Sequence, residues 1–177
     1  MCYFLYLASP LTLSEVRSML PAGLSADLLS QPELRALQRL HRDAQTGARV
    51  LHGGCSCDLV TQRHPVTRED EAGLRRRYRE MGYSRERIIQ ALEIHRRALE
   101  RRAEPAGHWP KAFAEFVAEH ARNAGPTLYY LHFSHDGLLG SPPPADPPAR
   151  ITTATARANP GAWLPEDTAI IIERQEA

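Results

Sequence analysis

Cys55 and Cys57 lie in the stretch His52-Gly53-Gly54-Cys55-Ser56-Cys57-Asp58-Leu59, which carries two of the chain's three cysteines. Thiolate sulfurs are nucleophiles, redox centres and soft metal ligands, and the spacing narrows the choice. On a regular strand, residues i and i+2 project from one face with Cα atoms roughly 6.5–7 Å apart. A disulfide wants Cα atoms about 4.4–6.8 Å apart, so closing one here needs a kink, which Gly53-Gly54 can supply. A shared metal needs only converging sulfurs. Cys2, at the start of an apolar N-terminal run, is the third thiol. Two or three thiolates with an imidazole form a donor set suited to zinc or copper(I), and His52 is the nearest candidate fourth ligand, with His64, His132 and His135 as alternatives. The Cys-x2-Cys pair of zinc ribbons is absent, and free cysteines are often simply buried, so a redox thiol pair and three inert core thiols stay open beside the metal.

Two further groupings could do chemistry. Between Arg63 and Arg102 there are twelve arginines (63, 68, 75, 76, 77, 79, 85, 87, 96, 97, 101, 102) and seven acids (69, 70, 71, 80, 86, 93, 100), an excess of five. Two helices joined by a glycine turn have the outline of a helix-turn-helix, so Arg75, Arg76, Arg77, Arg79, Arg85 and Arg87 are candidate contacts to nucleic acid or an acidic protein. The acids interspersed at helical-pair spacing point instead to a solvated outer face. His132, His135 and Asp136, at the end of a strand, form a possible general base with its orienting carboxylate, although Asp136-Gly137 is also a simple turn.

The elements that must position these groups follow from periodicity. Cys2 to Ala8 reads as a strand with Cys2, Phe4 and Tyr6 on one face, stopped by Ser9-Pro10. Thr12 or Ser14 caps a short helix ended by Pro21-Ala22-Gly23, and a second helix starts near Pro32 and carries Leu34, Leu37 and Leu40 inward to Gln45-Thr46-Gly47. Ala48 to Thr61 reads as a strand on which Cys55, Cys57 and Leu59 share a covered face. Thr67 caps a helix to about Glu80, Met81-Gly82-Tyr83 breaks it, and Ser84 caps a longer one striped by Ile88, Ile89, Leu92, His95 and Leu99. Phe113, Phe116, Val117 and His120 line a third helix ending near Gly125-Pro126. Thr127 to Phe133 is a strand; Arg150 to Arg157 and Thr168 to Ile172 read as a closing hairpin. The expected fold is α+β, one domain over 1–177. It has a mixed or mostly antiparallel sheet of about five strands with helices on one face, an arginine-rich helical hairpin at 63–103 in the middle, and a proline-rich loop at 138–149.

Composition sets the remaining bounds. With 177 residues, 42% hydrophobic, the chain can bury one sizeable core. A net charge of +1 gives no global field to recruit nucleic acid or an acidic membrane. Basic character is almost all arginine, with Lys111 the single lysine, as in a GC-rich bacterial coding sequence. Three cysteines form no disulfide framework, the N-terminal apolar run lacks a basic flank, and it is shorter than the roughly 18 residues a membrane span needs. A cytoplasmic protein without membrane contact is expected, with a protein partner or a second copy of the chain as open partners.

The opening Met1-Cys2-Tyr3-Phe4-Leu5, together with Gly53-Gly54-Cys55-Ser56-Cys57-Asp58-Leu59, resembles a group of small bacterial proteins that pair an N-terminal Met-Cys strand with a later Cys-x-Cys strand. The resemblance covers about the first third of the chain and implies no reaction. Removal of Met1 would leave Cys2 with a free α-amine beside its thiol, as in the N-terminal-cysteine amidotransferases, a likeness confined to that dipeptide. Met81-Gly82-Tyr83-Ser84-Arg85-Glu86 with Ala91-Leu92 resembles the loop of ubiquitin-associated domains, but the helix after it runs on to about Arg102, leaving no third helix of their spacing.

Overall fold

β1 (Cys2–Ser9) is buried at every residue because it is central: β3 (Thr46–His52) pairs antiparallel on one side and β4 (Thr127–Ser134) on the other. The computed structural model describes residues 2–60, 71–102, 107–134 and 146–174. With β2 (Leu24–Leu28), β5 (Ala149–Thr152) and β6 (Ala169–Glu173) the sheet is six-stranded and mixed, in the order β2-β3-β1-β4-β6-β5. The helices are α1 (Leu13–Met19), α2 (Gln31–Gln38), α3 (Glu71–Glu80), α4 (Arg85–Arg102), α5 (Trp109–Ala124) and α6 (Thr153–Ala158).

Alternation along the strands divides the core in two. Tyr3, Leu5, Leu7, Val50, Tyr129, Leu131, Phe133, Ile170 and Ile172 face a cluster closed by Val16, Leu74, Tyr78, Leu92, Phe113, Phe116, Val117 and Ala156, from α1 and α3 to α6. A fully buried leucine such as Leu5 contributes about 1.5–3 kcal/mol there. Cys2, Phe4, Tyr6, Ala8, Leu51, Tyr130 and Ile171 face the other way, where Leu29, Leu37 and Ala44 cover them. Most helices thus lie on one face, as expected, and α2 adds partial cover to the other.

Local signals behave as read at most boundaries. Thr12 heads a complete capping box with Glu15, Pro32 lies in the first turn of α2, and there the Glu33 carboxylate accepts from the Ser30 amide at 2.8 Å. Ser84 Oγ accepts from the Arg87 amide, and α4 is continuous to Arg102. Gly23 (φ 98°) occupies a left-handed position, and a Cβ there would stand 2.8 Å from the Trp109 ring, so both backbone and space demand glycine.

Five expectations need correction. The sheet gains β2, a short edge strand whose only buried residue is Ala26, too little burial to impose a hydrophobic period. The Arg150–Arg157 strand stops after four residues, because the Thr152 side chain accepts from the Thr155 amide and starts α6. That helix is a crossover, so β5 and β6 pair in parallel and form no hairpin. α2 ends at Gln38, leaving Leu40 only half-buried beyond it. In α4, Ile88 and Leu92 are buried but Ile89 is exposed and Ala91 takes the inward place; the side chains of His95 and Leu99 lie outside the description, as does most of the proline-rich loop. No described helix is long and apolar enough to cross a membrane.

One buried polar chain ties α5 to the sheet. His120, fully buried, sits with Nε2 2.8 Å from Ser9 Oγ and Nδ1 2.7 Å from the Tyr129 hydroxyl. Burial pushes its imidazole down to about 4. The fold therefore holds His120 neutral, while the unfolded chain takes up a proton near its ordinary value of 6.5; acid favours the unfolded state across that window. Stability is expected to fall by about 2 kcal/mol between pH 7 and pH 5 from this group alone. Urea denaturation at the two pH values checks it: His120→Gln, less stable at pH 7, must lose that much less on acidification.

Candidate metal centre

The thiol site is built where β3 runs out. After His52 the chain reverses at Gly53 (φ 69°), and the His52 amide donates to the Cys55 carbonyl at 2.8 Å to close the turn. The continuous strand to Thr61 is therefore not formed: Cys55 makes an isolated bridge to His52, and Cys57–Leu59 is a 3-10 turn. The ladder between β1 and β3 stops at Leu5–Val50, before either strand ends, and the β1 backbone groups beyond it that face β3 still need partners. The Ser56 amide donates to the Tyr3 carbonyl at 2.8 Å, and the Tyr3 amide donates to Cys57 Sγ at 3.4 Å. Ser56 Oγ accepts from the Leu5 amide at 2.8 Å and donates to the Val50 carbonyl at 2.6 Å. A fully buried hydroxyl thus stands between the two strands where their ladder opens.

These bonds bring Cys55 and Cys57 beside Cys2. The three Sγ atoms all lie within 4.8 Å of one another and could hold a metal ion. Zinc–sulfur bonds of about 2.3 Å put tetrahedral ligands about 3.8 Å apart, so the observed spacing is within about 1 Å of a bound geometry. Cys2 and Cys55 are buried and Cys57 is half-buried. Among the described residues no other group of three His, Cys, Asp or Glu side chains has this arrangement.

The thiols restrain one another's ionisation. Cys2 is pushed up to about 11, chiefly by its hydrogen bond with Cys55, against a lowering by Cys57 and with burial adding to the rise. Cys57 is raised much further by hydrogen bonds with Cys2 and Cys55 and then by burial. Cys2 and Cys57 therefore lack the lowered pKa of nucleophilic or redox cysteines. Adding three negative charges within 4.8 Å requires a cation among them.

The histidines fall elsewhere. His52 shares the strand face of Ala48 and Val50, opposite Cys2; its ring packs at a tilt on Trp109 with centroids 4.4 Å apart, and its Nδ1 lies 2.7 Å from Asp58 Oδ2. It does not join the sulfurs. His132 is on the face of Cys2, in register with Phe4, but its Nδ1 lies 2.7 Å from Asp167 Oδ1, which also accepts from the Tyr130 hydroxyl at 3.0 Å. Asp167 adopts φ 52°, a left-handed conformation that aspartate tolerates better than most residues. That carboxylate was not foreseen; its only sequence signal is an aspartate in a short polar turn before β6. His64, His135 and Asp136 lie outside the described residues.

The arginine hairpin forms, as α3 and α4, but several of its cations are engaged. Arg75 and Arg96 both pair with Glu71, at 2.7 and 2.8 Å, and Arg87 lies 4.2 Å over the Tyr83 ring. Arg77 also has an interaction, whereas Arg76, Arg79 and Arg85 project from exposed positions.

Ser56 carries the local architecture, and truncating it leaves two buried backbone groups unsatisfied. Ser56→Ala is expected to cost about 2–4 kcal/mol in urea denaturation. It should also speed alkylation of the thiols, which in the native protein at pH 7 are expected to react slowly with iodoacetamide. A Ser56→Ala protein with unchanged stability would mean that the hydroxyl bridge is dispensable. No protein-family model, curated protein or solved structure matches the chain.

Proposed function

We propose that the protein binds a soft metal ion, zinc or copper(I), through Cys2, Cys55 and Cys57. The observation that carries this reading is the convergence of three sulfurs from two segments far apart in the sequence to within 4.8 Å. Three chance buried cysteines have no reason to meet at one point, whereas a metal with sulfur ligands requires it. Support also comes from the Tyr3 amide donating to Cys57 Sγ, a bond that strengthens when the sulfur becomes a metal-bound thiolate. Copper(I) is suited to three thiolates alone. Zinc takes the same three with a fourth donor, for which water is sufficient. The upward shift of Cys2 and Cys57 speaks against a nucleophilic or redox thiol, and engagement of Arg75, Arg87 and Arg96 within the hairpin speaks against that surface as the principal function.

Metal analysis of protein purified without a metal-binding tag tests the reading, paired with thiol titration before and after denaturation. About one equivalent of zinc or copper, with thiols masked until unfolding, is the expected result, and Cys2→Ser, Cys55→Ser and Cys57→Ser should each lower metal content and stability together. Because binding displaces the protons of Cys2 and Cys57, affinity should rise with pH, by up to about a hundredfold per unit where both protons leave. Metal-free protein that takes up neither ion, with three unreactive thiols, would leave inert core cysteines as the answer; a fast-alkylating thiol would favour redox chemistry.

A further inference from the structure

Three arginines distant from the thiols in sequence gather around one groove, and only one of them is paired with an acid. A groove of about 480 Å³ is lined by Ala118 and Arg122 from α5, Thr153, Ala154 and Arg157 from α6, and Arg174 just after β6. Three of these six residues are arginines, delivered by three different elements. Arg157 donates through Nε to Glu115 at 2.9 Å, which leaves its terminal amino groups for other partners. Arg122 and Arg174 make no hydrogen bond or ion pair among the described residues, and no carboxylate lines the groove. Counting Glu115 against the three guanidinium groups leaves a net charge of +2. The hairpin differs: its acids neutralise Arg75 and Arg96, and Arg76, Arg79 and Arg85 stand at exposed positions on its helices.

We propose that this groove binds the phosphate group of a small phosphate monoester. A monoester carries about −1.5 to −2 charges at neutral pH, which matches the local excess, and the planar guanidinium fork matches phosphate oxygens two at a time. A bare phosphate fills only part of such a volume, so the remainder accommodates a small organic group against the Ala118 and Ala154 methyls and the Thr153 hydroxyl. No aromatic side chain lines the groove, so it offers no stacking platform for a nucleobase, which separates this ligand class from single-stranded nucleic acid.

Inorganic phosphate is the probe. The full chain is titrated with phosphate, and in parallel with sodium chloride at matched ionic strength, while arginine Nε–H resonances are followed by NMR. Arg122, Arg157 and Arg174 should shift saturably with phosphate and not with chloride. The double variant R122Q/R174Q, altered only at exposed positions, should weaken binding at least about tenfold with an unchanged melting temperature. Should that variant fold poorly, R122K/R174K keeps the charge but loses the fork and should bind at intermediate strength. Shifts that merely follow ionic strength, equal shifts at Arg76, Arg79 and Arg85, or undiminished affinity in the double variant would overturn the proposal. Binding of duplex DNA without any effect of phosphate would do so too, and would assign the surface to nucleic acid.

Discussion

The molecule depends on how the β3-facing side of β1 is satisfied beyond Leu5–Val50, where the ladder between the two strands stops. A central strand cannot leave amide and carbonyl groups bare in an apolar interior, and here the partners are a serine hydroxyl, a serine amide and a cysteine sulfur. The bonds that complete the sheet are therefore the bonds that build the thiol site. Sheet integrity and sulfur geometry become one structural problem: a change that frees Ser56 from Val50 and Leu5 disturbs both.

Electrostatics then sets what such a site can be. Cys2 and Cys57 hold their protons, because a thiolate at either would face desolvation and the repulsion of a neighbouring thiolate. A divalent or soft monovalent cation removes both obstacles at once, which is why the metal reading stands ahead of a nucleophilic one. The two histidine–carboxylate pairs lie apart from this logic. His52 with Asp58, and His132 with Asp167 and Tyr130, each have Nδ1 engaged by a carboxylate, and neither ring joins the sulfurs.

Arginine is abundant throughout the chain, and composition says little about where it acts. In the helical hairpin much of the charge is held by Glu71 and by the face of Tyr83. Around the α5–α6 groove only Arg157 of the three arginines is paired with an acid, Glu115, because the packing of α6 on α5 and the end of β6 brings together cations from segments that have no reason to balance one another locally.

Several features were legible in the sequence because their causes are local. Runs of apolar and aromatic residues marked β1 and β4, the 3.6-residue period marked α5, Thr12 and Pro32 marked the starts of α1 and α2, and Gly82 with Ser84 marked the hairpin. Cys2, Cys55 and Cys57 could be named as a set from their type and spacing. What local signals could not supply was decided by partners distant in the chain. β2 exists because β3 offers it an edge, β5 and β6 are parallel because α6 intervenes, and His52 faces away from the sulfurs because strand parity and Trp109 hold it there. The sequence by itself determined the thiols and most elements around them; only the tertiary structure decided that the sulfurs meet without His52 and that Arg122, Arg157 and Arg174 share a groove. Side-chain convergence depends on long-range packing, which periodicity does not encode.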